Sequence, residues 1–209
     1  VAMKLGMFMM PLHPPEKPLT QSYDEDVEQV VLADKLGFSE VWIGEHLSLQ
    51  WENIPSNEVF IANLIARTQQ IRLGTGLTLI PQHHPVNTAG RLALLDHLSH
   101  GRINIGLGQG AIPTDQALLD LPDSATQGLM TIEGIDLILK LWQAEPPFDF
   151  EGNYWHVKLD KAVSPQGIGV LTKPYQQPHP PIAMGLNAGR MSAPMCGRRG
   201  WIPISGNLI

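Results

Sequence analysis

Short apolar segments return along this chain at nearly constant intervals, and this regularity limits the folds that the chain can adopt. The first four begin near residues 4, 40, 71 and 103, which are 36, 31 and 32 residues apart. These segments lack the strict alternation of apolar and polar residues that marks a half-exposed sheet. We therefore predict a parallel sheet that is covered on both faces. The predicted strands are Lys4–Met10, Glu40–Ile43, Ile71–Ile80, Ile103–Leu107, Pro181–Leu186 and Trp201–Ile204.

Amphipathic helical patterns separate these strands. Apolar residues recur at helical spacing in the segments 27–36, 59–65, 89–95 and 132–142. Ser22 and Glu25 have the spacing of a capping box, which predicts that the first helix begins there. Gly37 and Gly101 follow the first and third helices, where glycine commonly ends a helix.

Strand and helix units wound in one direction predict an α/β fold, a TIM-like (β/α)8 barrel. An open doubly wound sheet is the alternative. Its glycine fingerprint is missing after the first strand, where Pro11, Pro14 and Pro15 stand instead. The spacing therefore favours the barrel.

The number of strands is smaller than a closed barrel requires. Six are counted by Ile204, whereas closure takes eight strands and about 60 further residues. We expect a single domain over residues 1–209 that is truncated to about six βα units. Residues 109–180 are predicted to form an insertion at the barrel mouth, with a hairpin from Phe148 to Val157.

The charge and composition of the chain exclude several classes of partner. The formal net charge is −6 and no cluster of Lys and Arg occurs, which argues against nucleic acid and anionic membranes. No apolar run approaches the roughly 18 residues of a membrane span. The single cysteine, Cys196, fits a reducing compartment, and we expect a cytoplasmic protein.

Polar residues in the loops after the strands are the candidates for chemistry, because the active sites of such barrels form there. We expect four loops to converge on one pocket. The candidates are His13 after the first strand, Glu45 and His46 after the second, Gln82, His83 and His84 after the third, and Gln109, Thr114 and Asp115 after the fourth.

Glycines are unusually frequent in the third and fourth strands, where β-branched residues are the norm. Two interpretations are open. A flat ring system could approach the backbone closely at these positions, or packing inside the barrel could require small residues. The glycines are Gly74, Gly76, Gly106, Gly108 and Gly110.

Other chemistries have weaker support in the sequence. His83 and His84 are adjacent, so they point in opposite directions on an extended chain and seldom share a metal ion. Glu45 and Asp115 could act as an acid and base pair on a sugar, although solvated loop acids explain them equally well. No nucleophile elbow is present. We predict no metal site.

Five motifs stand in a recognisable order along nearly the whole chain. They are K-L-G-M-F at 4–8, L-G-F-S-E-V-W-I-G-E-H at 36–46, R-L-G-T-G-L at 72–77, H-P-V at 84–86 and L-L-D-H-L-S-H-G-R at 94–102. In this order they resemble the bacterial luciferase family of flavin-dependent monooxygenases. P-L-H-P-P near the start, W-E at 51–52 and G-A-I-P-T-D at 110–115 resemble its limonene-type branch.

The resemblance implies a barrel that binds reduced FMN, supplied by a separate flavin reductase, and uses molecular oxygen on a small apolar organic substrate. Such a site must exclude water. His46 matches the family's histidine after the second strand, which manages protons beside the flavin. Asp115 matches an acidic residue of the loop after the fourth strand, and we take both as catalytic candidates.

The resemblance also implies which residues contact the cofactor. A non-proline cis peptide under the flavin ring is expected between Gly76 and Leu77. Gly108 and Gln109 match flavin-side positions, and Glu45 is expected beside them. Luciferase has an arginine at the position of Gln109, so this chain lacks that phosphate ligand.

Two other functions stay open at this stage. A deazaflavin in place of FMN would make hydride transfer the reaction. A non-catalytic flavin-binding subunit would bind the cofactor without turnover. As in the family, we expect a homodimer formed through the second and third helices.

Overall fold

Strands and helices alternate along the chain, as the spacing of apolar segments predicts. The computed structural model describes residues 3–10, 12–161, 165–186 and 192–205. The strands are β1 (Gly6–Met9), β2 (Glu40–Ile43), β3 (Arg72–Thr75), β4 (Thr78–Leu79), β5 (Ile103–Gly108), β6 (Phe148–Glu151), β7 (His156–Leu159), β8 (Ile182–Gly185) and β9 (Ile202–Ile204). The helices are α1 (Leu19–Lys35), α2 (Asn57–Ile65), α3 (Pro85–Leu98), α4 (Pro113–Leu118), α5 (Ser124–Gln143) and α6 (Ser192–Arg199).

One parallel sheet organises these elements. Its strands lie in the order β1, β2, β3, β5, β8 and β9, and β4 continues along β5 beyond the end of β3. All six predicted strands are present and pair in parallel, so both predictions are confirmed. The described part is an open, TIM-like barrel of about six βα units, as expected.

One face of the sheet forms the hydrophobic core with the helices. Val41 and Leu73 lie side by side in the register of β2 and β3, and Leu73 pairs in turn with Ile103. All three are completely buried. A shift of one residue in register would turn them to the opposite face, so their burial fixes the pairing. The helices contribute Val30, Ile61, Leu64, Leu92, Ile135 and Ile138 to this core.

The opposite face of the sheet carries a polar network near the start of the strands. Arg72 Nε donates to Asn104 Oδ1 at 2.7 Å, and Asn104 Nδ2 donates to Glu40 Oε2 at 3.1 Å. Arg72 also donates to Gln176 Oε1 at 3.0 Å. Burial lowers the pKa of Arg72, while the charges of Asp96 and Glu40 oppose that shift. The network ties β2, β3 and β5 to the segment before β8.

The start of α1 differs from the sequence prediction. The helix begins at Leu19 after Pro18, whose side chain forms no cap hydrogen bond. Ser22 is buried one turn inside the helix, and Glu25 accepts from Lys17 and Gln21 instead. The capping box was therefore wrong, because the backbone turns into the helix directly at the proline. Gly37 and Gly101 do end their helices, both with a φ of +81°.

The predicted strand from Ile71 to Ile80 is two strands. β3 ends at Thr75 and β4 begins at Thr78, and the peptide bond between Gly76 and Leu77 is cis, as the family resemblance implied. Thr75 links the end of β3 to β5 at this interruption. Its hydroxyl donates to Gly106 O at 2.8 Å and accepts from Gly106 N at 2.9 Å.

The region from residue 109 to 180 contains both a barrel helix and an added hairpin. α5 packs against α3 and the turn at Ile80–Gln82, in the place of a crossover helix between β5 and β8. β6 and β7 form the predicted antiparallel hairpin. Glu133 of α5 holds its turn by accepting from the backbone N–H groups of Asn153, Tyr154 and Trp155.

A buried carboxylate joins α1 to the entrance of β3. Asp34 accepts from the backbone N–H groups of Gln69, Gln70 and Ile71 at 2.7–3.0 Å. Burial acts to raise the pKa of Asp34, but these three bonds and the nearby charge of Arg102 outweigh it and leave the pKa lowered. The ionised carboxylate therefore stabilises the fold.

We predict that Asp34→Asn lowers the free energy of unfolding by about 2 kcal/mol at pH 7, because the amide cannot satisfy three donors. A carboxylate with a lowered pKa stabilises above its unfolded-state pKa, and this contribution is lost as the pH falls through the folded-state pKa. Urea denaturation should therefore show the difference between variant and parent shrinking below about pH 4. Asp24→Asn, on the exposed side of α1, is the control.

We predict opposite effects of alanine at two glycines. In Gly106→Ala the new Cβ would lie 2.1 Å from Thr75 O, so we expect a loss of about 1–3 kcal/mol. In Gly90→Ala, inside α3, the Cβ meets nothing within 4 Å, and a gain of about 0.5–1 kcal/mol is expected. Thermal unfolding of the two variants checks this, and equal melting temperatures would contradict the packing of β3 on β5.

Candidate active site

His46 lies in the loop that follows β2, at the carboxyl edge of the sheet. Its backbone N–H donates to Ile54 O at 3.0 Å. The ring atom Nε2 is 3.1 Å from Glu52 Oε2, and both side chains are 19% exposed. Nδ1 is buried and has no hydrogen-bond partner among the described residues. One nitrogen of the ring thus faces a carboxylate, and the other is left without a partner.

Glu45 is turned away from His46 towards the start of α2. It is buried, and its Oε2 accepts from the backbone N–H of Asn57 at 3.0 Å. The other oxygen lies 3.6 Å from His83 Nε2. An ionised carboxylate at a helix N-terminus is stabilised by the unpaired N–H groups of the first turn. Glu45 therefore anchors the loop after β2 to α2 and draws His83 to the same edge.

Asp115 is completely enclosed at the start of α4. Its oxygens accept from the backbone N–H groups of Leu47 and Ser48, at 3.2 and 2.9 Å, and from the Ser48 hydroxyl. The Ser48 hydroxyl also lies 2.6 Å from the Thr114 hydroxyl. Asp115 thus holds the residues that directly follow His46, and it joins the loops after β2 and β5.

His13, in the loop after β1, belongs to a buried cluster. Its Nε2 lies 2.7 Å from Asp26 Oδ2, and its Nδ1 contacts Asn53 Oδ1. The Tyr23 hydroxyl donates to Asn53 O. Burial raises the pKa of Asp26 against the opposing effect of His13, and burial followed by the charge of Asp26 raises the pKa of Tyr23. The cluster binds α1 to the far end of the loop that carries His46.

The strand glycines contact protein side chains and backbone. A Cβ at Gly74 would lie within 2.4 Å of the Trp42 ring. Cβ atoms at Gly106 and Gly108 would lie within 2.8 and 2.6 Å of Leu77 methyl carbons. Small residues are therefore required for packing at these three positions, which confirms that interpretation for them. Leu77, next to the cis peptide, fills the space that the glycines leave.

Three further candidates have local partners. Gln109 Nε2 donates to Ser124 O and Oγ, at 2.9 and 2.8 Å, at the start of α5. His84 accepts from Val86 N at 3.3 Å as the cap of α3. A Cβ at Gly110 would lie 3.4 Å from Gln82 Nε2, so Gln82 lies beside the loop after β5. Gln109 thus connects the loop after β5 to α5, and His84 caps α3.

Sequence reasoning brought the right loops together but missed several residues in them. Glu52 was noted only as part of the W-E motif, and Asn53 and Asp26 were not singled out. Asp26 lies in a helix and carried no spacing signal, because its partner His13 is 13 residues away. The W-E motif draws attention to Glu52, but its contact with His46 is visible only in the structure.

Apolar side chains rim the carboxyl edge near His46. Met10, Leu47 and Trp51 are 46%, 43% and 48% exposed. The Met10 side chain lies over Gly44, since a Cβ there would be 3.4 Å from Met10 Cγ. Within residues 3–10, 12–161, 165–186 and 192–205, no group of three or more potential ligands is arranged to hold a metal ion. No helix in the same ranges is long and apolar enough to cross a membrane.

Known proteins are similar to this chain in sequence. The chain is 39% identical over 169 residues to limonene 1,2-monooxygenase of Rhodococcus erythropolis, covering 76% of this chain and 43% of that protein. It is 34% identical over 163 residues to the oxygenase component of flavin-dependent trigonelline monooxygenase of Acinetobacter baylyi, covering 78% and 42%.

A solved structure matches nearly all of the chain. It is the oxygenating constituent of 3,6-diketocamphane monooxygenase of Pseudomonas putida in complex with FMN, with a TM-score of 0.89 and 28% identity. The match covers 98% of this chain and 58% of that one, so the chain spans about half the length of these relatives. The family model for luciferase-like monooxygenases matches residues 3–200. Together with the open barrel and the histidine after β2, this shows that the chain belongs to the luciferase-like monooxygenase family.

Proposed function

We propose that this chain belongs to the oxygenating component of a two-component flavin monooxygenase that acts on a small apolar organic substrate. The observation that carries the proposal is His46 at the carboxyl edge of the sheet, whose buried Nδ1 has no hydrogen-bond partner among the described residues. The FMN complex of the diketocamphane relative and the flavin-dependent trigonelline relative support the choice of cofactor.

The edge near His46 fits the ring portion of a flavin. Exposed Met10, Leu47 and Trp51 offer an apolar surface, and the Gly76–Leu77 peptide offers backbone without a bulky side chain at residue 76. We propose that Gly76 and Leu77 lie under the ring, with Gly108, Gln109 and Glu45 at its border. When bound, the reduced flavin would supply the electrons that activate oxygen.

The described loops offer fewer groups that could bind the phosphate of FMN than groups that could contact its ring. The loops after β2, β4 and β5 contain no Lys or Arg, and Gln109 is engaged with Ser124. Phosphate ligands in barrels of this class often come from the loops of the last two strands. We therefore assign the ring, and not the phosphate, to the residues described.

The protein's own side chains would manage protons and water. His46 Nδ1 would hold or accept a proton beside the reacting atoms, which is ordinary work for imidazole near neutral pH. Leu47 and Trp51 would keep bulk water from the site. Asp115, which binds the backbone after His46, would act by positioning the loop.

The proposal includes two protein partners. The trigonelline relative is named an oxygenase component, which supports a separate flavin reductase for this chain also. A homodimer through α2 and α3 would cover Val59, Leu94 and Leu98, which are 71%, 54% and 51% exposed. Burial of such apolar side chains favours association.

We predict that the protein binds reduced FMN under anaerobic conditions and, once oxygen is admitted, transfers one oxygen atom to limonene or 3,6-diketocamphane. Incorporation of ¹⁸O from ¹⁸O₂ into the product, followed by mass spectrometry, is the measurement. A reduced deazaflavin serves as the parallel cofactor. Hydride transfer from the reduced deazaflavin, seen as its reoxidation with reduction of the substrate and no ¹⁸O in the product, would make the protein a hydride-transfer enzyme. Flavin binding without product would make it a non-catalytic flavin-binding subunit.

We predict that His46→Gln lowers product formation by about 100-fold or more, the usual contribution of a general acid or base. Binding of reduced FMN should stay within a few-fold of the parent protein, because the ring contacts are made by other residues. His156→Gln, on the exposed hairpin, is the matched control and should keep full activity. Equal product from the His46 variant and the control would exclude a catalytic role for His46.

A further inference from the structure

We infer that Glu52 is a positioning residue for His46, which holds the neutral imidazole in the form protonated at Nε2 and leaves Nδ1 as the proton acceptor. The consequence for catalysis rests on the proposed function, whereas the protonation pattern of the ring does not. Glu52 was noted above only as part of the W-E motif, and its role is inferred from the contacts around it.

Glu52 contacts the His46 ring through one carboxylate oxygen. Glu52 Oε2 lies 3.1 Å from His46 Nε2, without the alignment of a full hydrogen bond. A carboxylate oxygen carries lone pairs only, so a bare Nε2 lone pair at this distance would be repelled. The proton of the neutral ring is therefore favoured on Nε2.

Nδ1, the other ring nitrogen of His46, has different surroundings from Nε2. Nδ1 is buried, and no donor or acceptor in the described part of the chain reaches it. With the proton on Nε2, Nδ1 keeps its lone pair and can accept a proton from a bound group. Placing the proton on Nδ1 would bury an unpaired N–H and also turn the Nε2 lone pair towards the Glu52 carboxylate, so this form is disfavoured.

The residues on both sides of Glu52 in the chain contact His13. Trp51 O accepts from His13 N at 2.7 Å, and Asn53 contacts the His13 ring. Asn53 Nδ2 donates to Gln50 O at 2.9 Å, which orients the amide so that its oxygen faces His13. The residues before and after Glu52 are thus fixed to the buried His13–Asp26 pair.

His13 and His46 differ in the contacts of their ring nitrogens. Both ring nitrogens of His13 face oxygen atoms, of Asp26 and Asn53, so that ring is fully engaged as an anchor. In the described ranges, His46 has one nitrogen that faces Glu52 and one without a hydrogen-bond partner. Within the same ranges, the Glu52 carboxylate forms its ion pair with His46.

The test measures the ring directly, without turnover. Protein labelled with ¹⁵N in histidine is examined by long-range ¹H–¹⁵N NMR at pH 9, where free imidazole is neutral. His46→Gln identifies the signals of His46. The parent protein should show a proton on Nε2 and none on Nδ1.

Two substitutions at position 52 change the hydrogen-bonding capacity of the side chain that faces the His46 ring. In Glu52→Gln the amide can donate or accept, so the share of the form protonated at Nδ1 should rise about fivefold. In Glu52→Lys the side chain can only donate, and the form protonated at Nδ1 should predominate. Asp149→Asn removes the carboxylate from the exposed His156 pair and should leave His46 unchanged. Near-ultraviolet circular dichroism confirms the fold of each variant.

The outcomes separate this inference from the proposed function. A parent protein protonated at Nδ1, or folded Glu52 variants with the parent's pattern, would overturn the role of Glu52 whatever the activity. The expected NMR pattern in a protein that forms no oxygenated product would support Glu52 and reject the monooxygenase. In an active protein, Glu52→Gln should lower kcat about tenfold with little change in KM, since it alters the ring and not binding.

Discussion

The register of the parallel sheet is the constraint on which the rest of the molecule depends. Val41, Leu73 and Ile103 are buried in register, and a slip of one residue would turn them away from the helices to the opposite face of the sheet. Because all strands of this sheet run in the same direction, the loops that follow them lie at one edge of the sheet. The packing of apolar side chains on one face thus determines where polar side chains meet at the end of the sheet.

The loop after β2 illustrates how this edge becomes a site. Glu45 ties its start to α2, Asp115 ties its middle to α4, and the His13 cluster ties its end to α1. Each of these contacts uses a buried carboxylate or imidazole that has polar partners. Each therefore restricts the loop without leaving a buried charge unpaired. His46 lies in this loop, and within the described part of the chain its Nδ1 has no hydrogen-bond partner.

Backbone space at the same edge is controlled by glycine and leucine together. Leu77 fills the space beside Gly106, Gly108 and Gly185, where Cβ atoms would lie within about 2.8 Å of its methyl groups. Thr75 replaces the missing backbone pairs between β3 and β5 through its hydroxyl. The interruption after β3 is therefore a packed feature of the sheet.

Much of this protein follows from the sequence by itself. The spacing of apolar segments determined the parallel strands, and the motif order determined the family and the placement of His46 after β2, because these signals are local or periodic. The start of α1, the division of Ile71–Ile80 into two strands and the partners of Glu45, Asp115 and Gln109 were decided only by the tertiary structure. Those features depend on contacts between residues as far apart as Leu47 and Asp115, and no pattern along the chain records which buried polar atoms will meet.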